Sequence, residues 1–270
     1  MNEDRKTIER LTFGIVTHNN QNIIQYTLDS ILNQLPEYFL STIYIVDNAS
    51  TDDTLRIVYE YSKEFKNLKV YESKKNLGFG RAHNKIIKLI DSDYHIICNP
   101  DIIICTQAIE IIIEFLQKNY NYGIVCPKFF FPDGSLQPLN RLNPTIWDLF
   151  LRRFLPKKLY YLFENRMNRY EMLDIGYNAS YEVPFVSGAF MVCRTSAIKQ
   201  VNGFDRRYFL YFEDADLSRK IQENGWLTCY CPEASVIHEW KRDSHKSIKS
   251  ALIFLHSAYK YFHKWGWKIY

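Results

Sequence analysis

Asp101 ends the run Tyr94-His-Ile-Ile-Cys-Asn-Pro-Asp, a β-prone stretch that stops at a proline. Proline has no N–H to give a ladder, so a strand ends there and Asp101 is left at its carboxyl end. In an open α/β sheet that edge is where ligands collect. A carboxylate so placed can hold a hard divalent cation, and the cation can hold a diphosphate. The plainer role for the same residue is to close a turn. Three further polar clusters share the pattern: His18-Asn19 after Thr12–Thr17, Asp47-Asn48 after Ile43–Val46, and Asn76 to Arg81 after Leu68–Tyr71. If each preceding run is a strand, all four clusters share one sheet edge. Asn76, Gly78 and Asn99 then join Asp47 and Asp101 as candidate binding residues.

The elements that would position them follow from periodicity. Ile24, Leu28, Ile31, Leu32 and Leu35 recur at helical spacing. Ser50-Thr51-Asp52-Asp53 is rich in helix-capping types and leads into Leu55, Val58 and Tyr59. Asn76 to Asn84 opens a helix with Ile86, Ile87 and Ile90, and Ile102 to Leu116 is an apolar, helix-like run with Thr106 able to cap it. Gly123 to Cys126 is a fifth strand. Strands alternating with helices predict an α/β fold, a single Rossmann-like, mostly parallel central sheet flanked by helices. Gly78-x-Gly80 lacks the third glycine of a dinucleotide fingerprint, and no Walker-type phosphate loop is present.

After Pro127 the alternation stops. Residues 136–183 are rich in Arg, Lys, Tyr, Phe and Leu with weak helical stretches, and read as an irregular lobe over the sheet. Regular structure returns with Ser187–Cys193 as a strand, Thr195–Val201 as a short helix, and a helix ending at Gly225 whose first acids are Glu213, Asp214 and Asp216. Glu213 and Asp216 have Arg206, Arg207 and Arg219 as candidate salt-bridge partners. Thr228–Cys231 is another strand, and His238 follows the short run Val236-Ile237. In the tail Ile248, Leu252, Leu255, Tyr259 and Phe262 recur at three- and four-residue steps, as a core helix or a surface helix touching lipid would.

With 270 residues and 47% hydrophobic content the chain can bury one large core, and 16% aromatic content argues against disorder. A net charge of +4 suits anionic substrates or an anionic membrane surface but is too diffuse for nucleic acid. The six cysteines sit mostly in apolar strands without zinc-ligand spacing, as free thiols in a reducing cytosol would. The first ten residues, MNEDRKTIER, contain no signal-peptide core, and no run approaches a membrane span.

As a set the motifs resemble family 2 glycosyltransferases, inverting enzymes of the GT-A fold, and within them the bacterial rhamnosyltransferase-like branch. The matching stretches are GIVTHNN, IYIVDNASTDDT, NLGFGRAHN, CNPDI, FPDGSLQ, VSGAFMVCRTSAIKQVNGFD, YFLYFEDADLSRKIQENGW and SAYKYFHKWGW, from about Leu11 to the end. The resemblance implies one glycosyltransferase domain over 1–270. In it a nucleotide-sugar-binding half (about 11–127) precedes an acceptor and catalytic half (about 128–240) and a C-terminal helical tail (about 241–270). It implies that Thr17 and Asp47 contact base and ribose, that Arg81 lies near the base or diphosphate, and that Asp101 is the last acid of the metal motif. It further implies that His238 is a metal ligand and Asp214 the catalytic base. Where many relatives carry two acids, this chain has Asn99-Pro100-Asp101, so Asn99 is at best a neutral oxygen ligand.

Inverting transfer needs the diphosphate's developing charge neutralised, a base for the acceptor hydroxyl, and a pocket that excludes water. The resemblance thus implies Mg²⁺ or Mn²⁺ as cofactor and dTDP-rhamnose or a UDP-hexose as donor. The acceptor would be a saccharide, lipid-diphosphate-linked, facing the Arg141–Arg169 lobe and the tail. Location would be cytoplasmic, peripheral at the inner membrane face. Asp214 in the first turn of its helix should be held ionised by the helix dipole. Two other classes fit parts of the pattern: a non-catalytic sugar-nucleotide-binding subunit, and a nucleotidyltransferase, which would carry a Gly- and Lys-rich phosphate loop that GIVTHNN lacks.

Overall fold

The computed structural model describes residues 9–36, 38–239 and 247–270. The polar start of the chain and the first part of the basic tail, 241–246, lie outside the described residues. Apolar runs of β-prone residues form the first four strands: β1 (Arg10–Thr17), β2 (Leu40–Asp47), β3 (Leu68–Glu72) and β4 (Tyr94–Cys98). They pair in parallel, with β1 between β2 and β4 and β3 outside β2. Helices α1 (Ile24–Gln34), α2 (Thr54–Glu64) and α3 (Phe79–Ile87) connect them. Each turns an apolar stripe inward, such as Ile24, Leu28 and Ile31 of α1, all fully buried. The carboxyl end of each strand therefore delivers its following polar cluster to one edge, as the spacing predicts.

Beyond β4 the sheet continues through β8 (Phe190–Arg194), β6 (Tyr122–Phe130) and β9 (Leu227–His238) to β5 (Ile102–Ile104). A two-residue strand, β7 (Tyr181–Glu182), also pairs with β9. Strand β8 runs antiparallel to both β4 and β6, while β6 and β9 are parallel. The architecture is the expected mixed α/β sheet, mostly parallel, with helices α4 (Ala108–Lys118), α7 (Thr195–Gln200) and α8 (Glu213–Glu223) packed on it.

Three sequence expectations are corrected. Ile102 to Leu116 is not one helix-like run: Ile102–Ile104 pairs with Val236–His238, and Gln107, at φ 60, turns the chain into α4 in place of a Thr106 cap. Three consecutive isoleucines satisfy a buried strand and a buried helix equally well, and only the partner strand decides. The separate runs Thr228–Cys231 and Val236-Ile237 are one strand, because a register shift at Pro127/Lys128 of β6 absorbs the irregularity after Cys231. The 136–183 lobe is more regular than its composition suggests. Thr145 and Asp148 form a reciprocal capping box that starts α5 (Ile146–Phe154). A 3-10 segment (Lys157–Phe163) and α6 (Glu164–Tyr170) follow, around a small core of Leu151, Met167 and Tyr170. The tail forms α9 (Ile248–Trp265), whose Ala258, Tyr261 and Phe262 pack against Tyr208, Phe212 and Ala215.

Candidate active site

At the ends of β1 and β2, Thr17 and Asp47 are register partners, and the Thr17 hydroxyl donates to Asp47 Oδ1 at 3.0 Å. Asp47 also accepts from the Ser50 hydroxyl and from the Ser50 backbone N–H, so it does close the turn before α2. Asn48 reaches across to the next loop, donating to Asn76 Oδ1 at 2.9 Å and accepting from the Leu77 N–H at 2.8 Å. Asn76 in turn accepts from the Gly78 N–H. Gly78 sits at φ +82, and a Cβ there would overlap the Phe209 carbonyl, which itself accepts from the Phe79 N–H. This glycine lets the chain around Phe209 lie on the start of α3. Arg81 stands apart: its Nε donates to the Arg206 carbonyl, and it lines a shallow depression with Asn84, Lys85 and Lys88.

The other named residues line one cleft of about 1420 Å³. Asn99, Asp101, His238, Glu213 and Asp214 all face it, joined by Gln137, Arg141 and Gly188. The Asn99 N–H donates to the Ala189 carbonyl at 2.8 Å, and the neighbouring Gly188 N–H donates to Asp214 Oδ2 at 3.1 Å. The turn that carries Asp101 and the carboxylate of Asp214 are thus tied to adjacent residues of one loop.

Asp101 Oδ1 is buried without a hydrogen-bond partner among the described residues, and His238 Nε2 is 3.5 Å from it. His238 Nδ1 lies 2.9 Å from Gln137 Oε1, and a proton on Nδ1 shared with that oxygen would turn the Nε2 lone pair toward Asp101. An imidazole nitrogen and a carboxylate oxygen 3.5 Å apart are a donor set that suits Mn²⁺ or Mg²⁺. The residues therefore fit a divalent ion. No group of three or more acidic, His or Cys ligands occurs among the described residues, so the remaining positions would fall to substrate and water.

Asp214 lies in the first turn of α8, and the Ala215 N–H donates to its Oδ1 at 2.9 Å. The helix start was expected to keep this acid readily ionised. Instead burial raises it above the ordinary Asp value, with the Gly188 and Ala215 N–H groups and the charge of Arg141 opposing. Desolvation outweighs the end of a helix dipole when a cleft wall covers the carboxyl. Glu213 is fully inside, its Oε2 has no partner among the described residues, and burial with Asp214 alongside pushes it up to about 8. Of the pair Glu213 is therefore the member that holds a proton more readily, and Asp214, held by two N–H donors, the one that gives it up more readily.

Comparison with known proteins decides the family. The family model described as Glycosyl transferase family 2 matches residues 12–201, and a second, Glycosyl transferase family group 2, matches 155–269. The chain belongs to glycosyl transferase family 2. Among curated relatives this glycosyltransferase is 28% identical over 232 residues to an N-acetylglucosaminyl-diphospho-decaprenol L-rhamnosyltransferase of Mycobacterium tuberculosis, covering 80% of this chain and 72% of that one. It is 26% identical over 258 residues to rhamnosyltransferase WbbL of Escherichia coli K12, covering 92% and 90%. These two place it with the rhamnosyltransferase-like branch. Its fold matches the mannosyltransferase PcManGT of Pyrobaculum calidifontis, solved with GDP-Man and Mn²⁺ (TM-score 0.66, 16% identity, 96% of this chain and 65% of that one). It also matches GalNAc-T7, solved with UDP, GalNAc and Mn²⁺ (TM-score 0.68, 16% identity, 87% and 44%). The chain thus spans less than two thirds of either solved chain.

Two features of the glycosyltransferase's catalytic side escaped sequence reasoning. Asp216 pairs with none of the nearby arginines. It is fully buried, and its Oδ1 accepts from Lys264 at 2.6 Å and from the Trp265 indole N–H at 2.8 Å. Arg207 pairs with Asp205, and Arg219 lies over the Trp265 ring, 4.4 Å from its centroid. Asp216 therefore clasps the end of α9 to the start of α8. The turn into α8 also places two bulky residues, Tyr211 and Phe212, at φ 71 and φ 67, a conformation that costs L-residues on the order of 1 kcal/mol or more each. Gln137 and Gly188 lay within recognised motifs but without an assigned role. Arg141 sits in the aperiodic lobe, where only its later bridge to Phe185 fixes its place.

Proposed function

We propose that this glycosyltransferase moves a sugar, with inversion, from a nucleoside diphosphate sugar to a saccharide carried on a lipid diphosphate, in the assembly of a bacterial cell-surface polysaccharide. One observation carries the reading: a pair able to hold a cation, Asp101 with His238, and a carboxylate held by backbone amides, Asp214, open into the same cleft. dTDP-rhamnose is the first choice of donor and a UDP-hexose the second, supported by the two rhamnosyltransferase relatives. The lipid-linked acceptor is supported by the mycobacterial relative's name.

Thr17 and Asp47 would meet the base and ribose, since three hydrogen bonds to Asp47 leave a carboxylate lone pair for a sugar hydroxyl. Asn76, Gly78 and Asn99 shape the same edge, and Arg81 would serve the diphosphate only by leaving the Arg206 carbonyl. Asp101 and His238 would hold the divalent ion, which would neutralise charge on the departing diphosphate. Asp214 takes the acceptor hydroxyl's proton as that oxygen bonds to the anomeric carbon. The carbon–oxygen bond to the diphosphate breaks, and the nucleoside diphosphate leaves with the electron pair.

No helix among the described residues is long and apolar enough to cross a membrane. Contact with the membrane's inner face would be peripheral, through α9. Ile248, Leu252, Leu255 and Tyr259 form an exposed stripe opposite the buried face, and residues 247–270 contain four lysines and no acid.

A calorimetric screen of dTDP-, UDP-, GDP- and CMP-sugars tests the reading. Binding of dTDP-rhamnose that requires Mn²⁺ or Mg²⁺ is the expected result. Binding confined to GDP- or CMP-sugars overturns the donor, and full transfer activity in excess EDTA overturns the metal.

A further inference from the structure

Arg141 is 5% exposed and lines the cleft on the lobe side. Two of its N–H groups go to backbone carbonyls, Nη1 to Leu139 at 3.0 Å and Nη2 to Pro138 at a long 3.5 Å. Its Nε has no partner among the described residues. The carboxylate beside it, Glu171, is 3.9 Å away and is shared at the same distance with Arg152. Two guanidinium groups thus divide one loosely held carboxylate. Arg153 borders the same wall with its guanidinium over the Phe254 ring, and Glu164, the other acid there, is exposed. Burial and the charge of Arg152 act against the charge on Arg141, yet a guanidinium stays protonated. A buried cation with an idle donor and a half-share of a carboxylate is costly unless something else completes it.

We propose that Arg141 and Arg152 form an anion subsite for the phosphate or diphosphate group of the acceptor, distinct from the donor's diphosphate site at Asp101 and His238. Three observations support this. The guanidinium fork recognises phosphate oxygens through paired N–H groups, and Nε with an Nη is the edge that does so. The β-bridge between Arg141 and Phe185 fixes the backbone, so the site is built before the ligand arrives. The wall also holds Tyr160, Tyr161 and Met167, an apolar and aromatic surface suited to the first part of a lipid chain. The subsite deepens the lipid-diphosphate reading of the acceptor and rests on it.

The test uses inorganic pyrophosphate as probe, by calorimetry on the full chain saturated with Mn²⁺ and dTDP. Pyrophosphate should still bind, and Arg152→Gln should weaken it about tenfold or more while dTDP affinity is kept. Arg141→Gln should do the same, and because it also strips donors from two carbonyls, Arg152→Gln is the deciding variant. In transfer assays Arg152→Gln should raise KM for a diphosphate-bearing acceptor but not for the same saccharide without the diphosphate. Competition between pyrophosphate and dTDP, or equal KM changes for both acceptors, overturns the subsite while leaving the transferase reading intact. Pyrophosphate binding unchanged in Arg152→Gln overturns the subsite, whereas absence of transfer by the wild-type chain, with pyrophosphate still bound through Arg152, would count against the function alone.

Discussion

At the ends of β1 and β2 the polar side chains complete one another. Thr17 and Ser50 saturate much of Asp47, and Asn48, Asn76 and the Leu77 and Gly78 N–H groups close a second ring of hydrogen bonds. Along the cleft the opposite holds: Asp101 Oδ1, Gln137 Nε2, Arg141 Nε and Glu213 Oε2 are buried with no partner among the described residues. Folding normally pairs such groups, because each orphan costs about 1–3 kcal/mol. The first region is therefore complete as folded and holds its loops in place for a ligand. The second is left incomplete, and under the proposed readings a cation would complete Asp101, an anion Arg141 and a proton Glu213.

Three substitutions press on this contrast. The largest effect belongs to Asp214→Asn, nearly isosteric and able to keep acceptance from a backbone N–H. It should cut turnover by about 10²–10⁴-fold while calorimetry finds donor affinity unchanged. Equal loss of donor binding would make Asp214 a binding residue. Next comes Asp216→Ala, which removes a carboxylate whose partners are internal. It should destabilise the fold by about 1–3 kcal/mol in urea, because the Trp265 N–H loses its acceptor and Lys264 keeps only Asp205. An unchanged urea midpoint would show that α9 is held by apolar packing alone. The smallest is Glu213→Gln, measured by thermal unfolding against pH. Burial raises the folded carboxyl to about 8, so the folded state holds its proton more tightly than the unfolded chain does. The native enzyme should lose stability as pH rises from the ordinary carboxyl range to about 8. The glutamine, which never ionises, should escape that loss, so its stability relative to wild type should rise between pH 5 and pH 9. A gain that does not depend on pH would locate the effect in packing.

Much of the complete region was legible in the sequence, because local pattern produces it. A β-prone run, then a polar pair, then a capped helix determines where Thr17, Asp47 and Asn76 fall. The incomplete region was legible only in part. Asp101 stood out at the end of its strand, and His238 and Asp214 entered through motif resemblance. Gln137 and Arg141 had no period to reveal them, since they lie on extended chain fixed by Phe129, the carbonyls of Leu139 and Pro138, and Phe185. The partner of Asp216 lies 48 residues away on α9, beyond any local rule. Asp214 shows the limit from the other direction: its place in the helix was read correctly and its acidity wrongly, because burial is a property of the assembled cleft.

The reversed strand β8 has a mechanical consequence. It runs antiparallel to its neighbours β4 and β6 and enters the sheet at the edge where they leave, so the loop before it meets both the Asp101 turn and the start of α8. Asn99 and Asp214 are bound to consecutive residues of that loop, Ala189 and Gly188. The part proposed to grip the leaving group and the part proposed to accept the proton therefore share one loop. That common loop couples their spacing to the sheet, while the 141–171 lobe and α9 line the rest of the cleft.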